Sequence, residues 1–413
     1  MQDISPSSGL PVVTRGSLVL SAFTTALAFS IILPNLPARI AAASGLGDAG
    51  AISRHTGLMT AAYTAAIFVA APCFGRASDI WGRRPVLVMG LAGFSGNLVL
   101  FEATSDLLVL YLTRVGAGLC AAAVTPVVLA TIGDWSPDES WRARRFAWIG
   151  AATMIGFMIG PLLGGALPMI ISPLVRSDAP FALLWPTLLG LISAGWIAFS
   201  VPPKSSRTAH LAADNGQDHR ETRGISNQLL VLAAIVSGAV AAFDVTLALR
   251  GNFVAEGTSY AIGLLLAECS AVMLVCQVLV FSPLIEPQAT RWLIAPALGV
   301  LALALAVAPF INSVAELAVA VGAIAAAAGM AAPIITYWTA LVAGRHQGED
   351  LGRWTAVTSL GQSVGSAAAG LFLSQEMSGG IFALLSSAAL GGMIMATRIP
   401  KILAARMASK SDQ

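Results

Sequence analysis

Apolar stretches of about 20 residues, each bounded by polar or Pro/Gly breaks, recur along the whole of this 413-residue chain. A helix rises about 1.5 Å per residue, so each stretch is long enough to cross ~30 Å of hydrocarbon. Twelve spans are expected: 16–38, 58–75, 86–103, 107–132, 146–170 and 181–201, then 227–253, 259–283, 293–311, 315–342, 354–374 and 378–397. Composition agrees, since 56% of residues are apolar and 11% charged, against roughly 25% charged in a soluble domain. Lipid offers no partner to backbone N–H and C=O groups, so the spans must be helical; barrel strands would not give runs this long. The expected fold class is an all-α membrane bundle.

Residues 202–226 hold no apolar run and are rich in charge, which divides the chain into a six-helix half at 1–201, a linker at 202–226 and a second six-helix half at 227–413. Orientation follows from the bias of Lys and Arg toward cytoplasmic loops. With both termini inside, those loops hold most of the 23 Lys and Arg residues; only Arg39, Arg54, Arg176 and Arg250 fall outside, and Arg114 lies within a span. Residues 1–15 are polar, and the first apolar run is too long for a cleavable signal core, so it is expected to stay in the mature protein. A net charge of +2 provides no field for a nucleic-acid backbone. The cysteines Cys73, Cys120, Cys269 and Cys276 sit inside apolar runs without zinc-site spacing.

Between the second and third spans the chain reads Gly75-Arg-Ala-Ser-Asp79-Ile-Trp-Gly82-Arg83-Arg84-Pro85. Two glycines permit a tight turn, and Asp79 can accept from a helix N-terminus or pair with an Arg. The segment resembles the signature loop of the major facilitator superfamily, with Ala77 where that family usually has Leu. The resemblance implies twelve transmembrane helices in two six-helix halves, the major facilitator fold. It also implies a conformational latch formed by Gly75, Asp79, Gly82, Arg83 and Arg84 with Asp134 at the end of span four. In that span Tyr111-Leu-Thr-Arg114-Val-Gly-Ala-Gly118 is similar to the family's Arg-x-x-x-Gly motif. Arg114 lies seven residues into an apolar helix, where a guanidinium costs about 2.5–3.5 kcal/mol; a functional role or snorkelling over about 10 Å to the surface each accounts for it.

Span five contains Gly156-Phe-Met-Ile-Gly160-Pro161-Leu-Leu-Gly164-Gly165. Glycines four apart make a groove that a second helix can enter, and Pro161 bends the helix. The stretch matches the Gly-Pro motif of facilitator antiporters and, with Gly75–Gly90, looks most like bacterial tetracycline and multidrug efflux proteins. The resemblance implies export by exchange for protons. One departure lies in span one, where Thr24-Thr25 stand ahead of Pro34-Asn35-Leu36-Pro37 in place of an acidic residue.

A proton carrier is then needed inside the membrane, and the candidates are Asp244 in span seven and Glu268 in span eight. Each stands nine residues from the outer end of its span, so both should lie at similar depth. A carboxyl group exposed alternately to two environments loads a proton on one side and releases it on the other; Arg114 would couple this to conformation. The structural alternatives are an Asp244–Arg250 pair and a helix-to-helix contact at Glu268. Phe29, Phe157, Gln277, Tyr337, Trp338 and Gln362 are candidate substrate-lining residues. Cys269, Met273 and Cys276 share one face of span eight and suit a soft metal, although such residues are also ordinary apolar filling; import of copper or a siderophore-type metal chelate is therefore the runner-up.

No phosphate loop, nucleophile constellation or hydrolytic metal pair is apparent, so neither an enzyme nor a cofactor is expected. The favoured reading is a monomeric, proton-coupled exporter of a small amphipathic compound, spanning a bacterial-type inner membrane, with lipid, protons and substrate as its partners.

Overall fold

In the computed structural model, the described residues are 10–45, 48–135, 139–165, 183–201, 219–254, 259–280, 289–311, 313–343, 347–374 and 378–400, and no strand occurs among them. The first half comprises α1 (Val12–Ser44), α2 (Ala49–Trp81), α3 (Arg83–Ala103), α4 (Leu107–Ala121), α5 (Val124–Asp134), α6 (Glu139–Gly165) and α7 (Leu184–Ser200). The second comprises α8 (His219–Val254), α9 (Ser259–Val280), α10 (Ile294–Val307), α11 (Val314–Ala343), α12 (Gln347–Ser374) and α13 (Ser378–Ala396). A break at Ala122–Ala123 separates α4 from α5, which together make span four. Eleven described spans are long and apolar enough to cross a membrane, and α7 is a shorter apolar helix. The molecule has the all-α, twelve-span architecture expected. Its near end carries the start of α1 and the turn at Gly82, its far end the turn after Ser44.

Several helices outrun the apolar stretches that announce them. α1 continues to Ser44 and α2 begins at Ala49, so Arg39 and Arg54, expected in an outer loop, are helical. Polar ends extend a helix because its own hydrogen bonds persist outside the hydrocarbon. The Asp48 side chain starts α2 by accepting from the N–H groups of Gly50 and Ala51. Arg39 stays in a helix because it is fully engaged: it pairs with Glu102 at 2.7 Å and donates to the carbonyls of Phe101, Glu102 and Thr104. It thereby caps the end of α3 and holds it to α1. In the second half, α8 begins at His219, inside the segment expected to be linker.

The two halves follow one packing plan. In the first, α1 packs on α6, α2 on α4 and α3 on α7; in the second, α8 packs on α12, α9 on α11 and α10 on α13. These are the same pairs displaced by six spans, the pattern of an internal repeat. The halves meet chiefly where α2 lies along α12 and where α6 lies along α9, two contacts that the repeat interchanges.

Between hydrocarbon-facing helices the hydrophobic effect is weak, so close approach of small residues holds the bundle together. The α2–α12 crossing shows this: a Cβ on Gly57 would lie 2.5 Å from the Ser366 carbonyl oxygen and 2.6 Å from Gly370 Cα. Nearby, the Ser363 hydroxyl donates to the Ala61 carbonyl at 3.1 Å. Gly96, in contrast, has nothing within 4 Å of a built Cβ. We therefore expect Gly57→Ala to destabilise the protein by about 1–3 kcal/mol through overpacking against backbone. Gly96→Ala should be neutral or slightly stabilising, since alanine favours helix. Thermal melting of both variants in detergent checks this.

Candidate functional site

At the near end, α2 runs through Gly75 to Trp81, and Gly82 alone makes the turn into α3, with φ 96° and ψ 156°. That conformation is open essentially to glycine only. Gly75 is helical with open space around it, so the expectation that both glycines shape the turn is corrected: one residue reverses the chain because both helices extend to it. Arg83 then points across the turn. It pairs with Asp79 at 2.6 Å and, through Nε, with Asp134 of α5 at 3.0 Å, and it also donates to the Ser78 hydroxyl. Three helices are thus tied by one guanidinium. Arg84 forms no ion pair among the described residues.

The Gly-Pro segment of α6 is pressed against α1. Cβ atoms on Gly156, Gly160 and Gly164 would run into backbone at Phe23, Leu27 and Ile31, each pair advancing by four residues. Two side chains of α1 close the seam: the Ser30 hydroxyl donates to the Gly156 carbonyl at 3.1 Å, and the Asn35 amide to the Gly164 carbonyl at 2.9 Å. Pro161 is buried within the helix, and Gly165 is its last residue. Lacking an N–H, the proline releases the carbonyl four residues earlier from its helical bond.

Arg114 is buried, with 2% of its surface exposed. Its guanidinium lies 4.7 Å from the Tyr63 ring centroid and 5.6 Å from that of Phe29, and Phe157 packs edge-on against Phe29 at 5.9 Å. No carboxylate lies within 4 Å among the described residues, and Nε has no hydrogen-bond partner. Aromatic faces, supplied by α1 and α2, are what this cation has in place of an acid.

Asp244 of α8 and Glu268 of α9 are both half-buried, and both lie within electrostatic range of the buried Cys269. Glu268 Oε1 lies 3.7 Å from the Cβ position of Gly322 on α11. Neither carboxylate has an Arg or Lys within 4 Å among the described residues. The side chain of Arg250, the alternative partner of Asp244, lies outside those described.

Comparison with known proteins matches this arrangement to a family. The Major Facilitator Superfamily profile matches residues 18–285. The chain belongs to the major facilitator superfamily. That makes it a membrane transport protein by family, not an enzyme. The tetracycline resistance protein of class B from Escherichia coli is 34% identical over 152 residues, covering 37% of this chain and 36% of the relative. The quinolone resistance protein NorA from Staphylococcus aureus is 30% identical over 148 residues, 36% of each. The chain thus matches about a third of the length of these relatives. Among solved structures, the human organic anion transporter MFSD10 (TETRAN) superposes with a TM-score of 0.71 at 19% identity, covering 94% of this chain and all of the other. An inward-facing bacterial homologue of the human lysosomal transporter Spinster gives 0.65 at 17%, covering 95% and 96%. At these identities the likeness is one of fold.

In this facilitator the candidate residues are distributed over both halves. Phe29 and Phe157 join Arg114 in the first half. Gln277 reaches α6, its Nε2 lying 2.9 Å from the Cβ position of Gly150, and so stands at the junction of the halves. Gln362 is half-buried on α12. Trp338 is a core residue, 1% exposed, donating its indole N–H to Thr290 at 3.1 Å, with Tyr337 edge-on at 5.4 Å. The expected cavity-lining role of Trp338 is corrected on this point: a bulky ring with a polar handle is most stable where a partner fixes the handle. Arg114 lies apart from Asp244 and Glu268, beside aromatic rings of the opposite half. On α9, Cys269 belongs to the buried core of the second half and Met273 packs against that same core. Cys269 is buried beside the carboxylates, while the Met273 backbone packs 2.7 Å from the Cβ position of Gly329. Among the described residues no cluster of His, Cys, Asp and Glu suits a metal ion.

Sequence reading missed the counterpart of the Gly-Pro seam. Gly361 and Gly365 of α12 meet the backbone of Ala234 and Gly238 on α8, and the Ser237 hydroxyl donates to the Thr358 carbonyl at 3.1 Å. The spacing Gly361-x-x-x-Gly365 carried the signal. A cycle of substitutions tests the first seam. A methyl on Gly160 would overlap the Ser30 hydroxyl, so Gly160→Ala should be less destabilising in a Ser30→Ala background, with a coupling of about 0.5–1 kcal/mol. Gly156→Ala, which meets backbone, should gain nothing from Ser30→Ala.

Proposed function

We propose that this facilitator exports a small amphipathic compound in exchange for protons, by alternating exposure of a site between its halves. The observation that carries the reading is the coexistence of two features. One is the Gly-Pro seam of α6 on α1. The other is the pair of carboxylates Asp244 and Glu268, carried by two membrane-crossing helices of the second half with no basic side chain in contact among the described residues. Ionisable groups at membrane depth are expensive, and two acids without a fixed counter-charge are suited to exchanging protons. The local similarity to tetracycline and quinolone resistance proteins supports the direction and the cargo class.

In this scheme the amphipathic cargo contacts Phe29 and Phe157 in the first half and Gln277, Tyr337 and Gln362 toward the second. Arg114 sets the electrostatic environment on the first side of the cavity, and proton occupancy of Asp244 and Glu268 sets it on the other. The Arg83 cluster, with Asp79 and Asp134, holds the near end in one state and must rearrange when α2 and α12 shift. The distribution of Lys and Arg favours a bacterial-type inner membrane with both termini cytoplasmic and the near end inside. A single chain contains every element invoked. Import of a metal or chelate is not favoured, because similar curated proteins are drug-resistance proteins and no metal-binding cluster of His, Cys, Asp and Glu occurs among the described residues.

The test is flux of a fluorescent cationic dye in proteoliposomes under an imposed pH gradient. Asp244→Asn and Glu268→Gln should each lower gradient-driven flux by about tenfold or more, corresponding to ~1.4 kcal/mol in the coupled step, while dye exchange without a gradient persists. Full gradient-driven flux in the double variant would overturn the assignment. Arg83→Gln should slow both modes alike, because it acts on conformation and not on protonation.

A further inference from the structure

The near ends of α1 and α6 carry a cluster of positive charge that the transport scheme does not use. Arg15 lies in the first turn of α1, and Arg144 and Arg145 in the second turn of α6. Among the described residues, Arg15 and Arg144 are charges within electrostatic range of Arg145. No Asp or Glu lies within 4 Å of these three among the described residues. The Nε atoms of Arg15 and Arg145 are shielded from solvent yet have no hydrogen-bond partner. The Arg145 guanidinium is held between two indoles, 5.2 Å from the Trp141 ring centroid and 5.5 Å from that of Trp148.

The general bias of arginine toward the cytoplasmic face explains the presence of these residues but not their arrangement. Arginines free to point anywhere would keep apart in water; here α1 packs on α6, Arg15 and Arg144 lie within electrostatic range of Arg145, and two of the three have an Nε without an acceptor. Three like charges gathered in this way call for an anion. The surface around them indicates which one. Trp148 is 61% exposed, Val12 73% and Val13 52%, so an apolar, partly aromatic face adjoins the cluster at the level where the membrane-crossing parts of α1 and α6 begin. A ligand that fits has a phosphate at one end and hydrocarbon at the other.

We propose that Arg15, Arg144 and Arg145, with Trp141 and Trp148, form a binding site for the phosphate of an anionic phospholipid. The phosphodiester oxygens accept from the guanidinium groups of Arg15 and Arg145, which match phosphate in geometry as lysine does not. Trp148, Val12 and Val13 lie against the glycerol and the first carbons of the acyl chains. Arg144, exposed at the rim, adds attraction for a headgroup with net negative charge. Because α1 and α6 also form the Gly-Pro seam, a lipid seated here would join the near ends of the two helices that the seam joins deeper in the membrane.

The experiment uses the full chain in phosphatidylcholine vesicles doped with phosphatidylglycerol brominated on its acyl chains, compared with brominated phosphatidylcholine at the same fraction. Bromine quenches tryptophan only on close approach. Wild type should be quenched at a several-fold lower fraction of brominated phosphatidylglycerol than of brominated phosphatidylcholine. Trp148→Phe should remove most of that difference. The triple variant Arg15→Gln/Arg144→Gln/Arg145→Gln should abolish it, and Arg398→Gln, which removes a charge at the near end of the second half, should preserve it. Equal quenching of the wild type by the two lipids overturns the proposal without recourse to any variant. So does a difference that survives the triple substitution in protein with wild-type thermal stability. Inorganic phosphate at high concentration should narrow the difference by competition more than chloride at equal ionic strength; a difference that chloride removes equally well would show general charge attraction in place of a phosphate site and would overturn the proposal.

Discussion

Hydrocarbon cannot hydrogen-bond, and the rest of this structure follows from that. Each segment that crosses must satisfy its own backbone as a helix, and helices already surrounded by apolar solvent gain little from burying more apolar surface. What remains is close fit and the occasional polar bond. The chain uses both together at the α1–α6, α8–α12 and α2–α12 crossings: glycines bring backbones into contact, and a serine or asparagine side chain donates to a carbonyl across the seam. α12 shows the economy of the scheme. Gly361 and Gly365 face α8 within its own half, while Ser363, Ser366 and Gly370 face α2 in the other. One helix thereby belongs to the core of its half and to the boundary between halves.

Charge is treated differently according to depth. At the far end Arg39 is paired with Glu102 and bonded to three carbonyls; at the near end Arg83 is paired with Asp79 and Asp134. These groups lie close to water and join helices. In the interior the pattern is reversed. Among the described residues Arg114 has aromatic faces and no acid in contact, and Asp244 and Glu268 have no base in contact. Charges at depth are thus kept out of direct contact with opposite charges among the described residues, one kind in each half.

Much of the fold was legible because its signals are one-dimensional. A run of apolar residues needs no partner to declare a span, and the signature loop and Gly-Pro segment declared the family by spacing alone. Helix ends were less legible, because Arg39, Arg54 and Gly75 read as loop while helical hydrogen bonding carries through them. At the candidate site, counting residues puts Asp244 and Glu268 nine residues from the outer ends of their spans, and in the structure both are half-buried on α8 and α9. Trp338 was misread: a tryptophan near a span end fits a cavity wall or a core position equally well until Thr290 is seen beside it.

The sequence by itself determined that the chain lies in lipid, crosses as helices and divides into two similar halves, since these depend on the free energy of residues taken along a line. Only the tertiary structure decided which glycines meet, that Arg83 and not Arg84 takes Asp134, and that Arg114 stands among rings with no acid in contact among the described residues. Those outcomes depend on how helices rotate about their axes, and in a nearly uniform apolar solvent nothing local fixes that rotation. Small residues and polar side chains set it only once they find a partner hundreds of positions away.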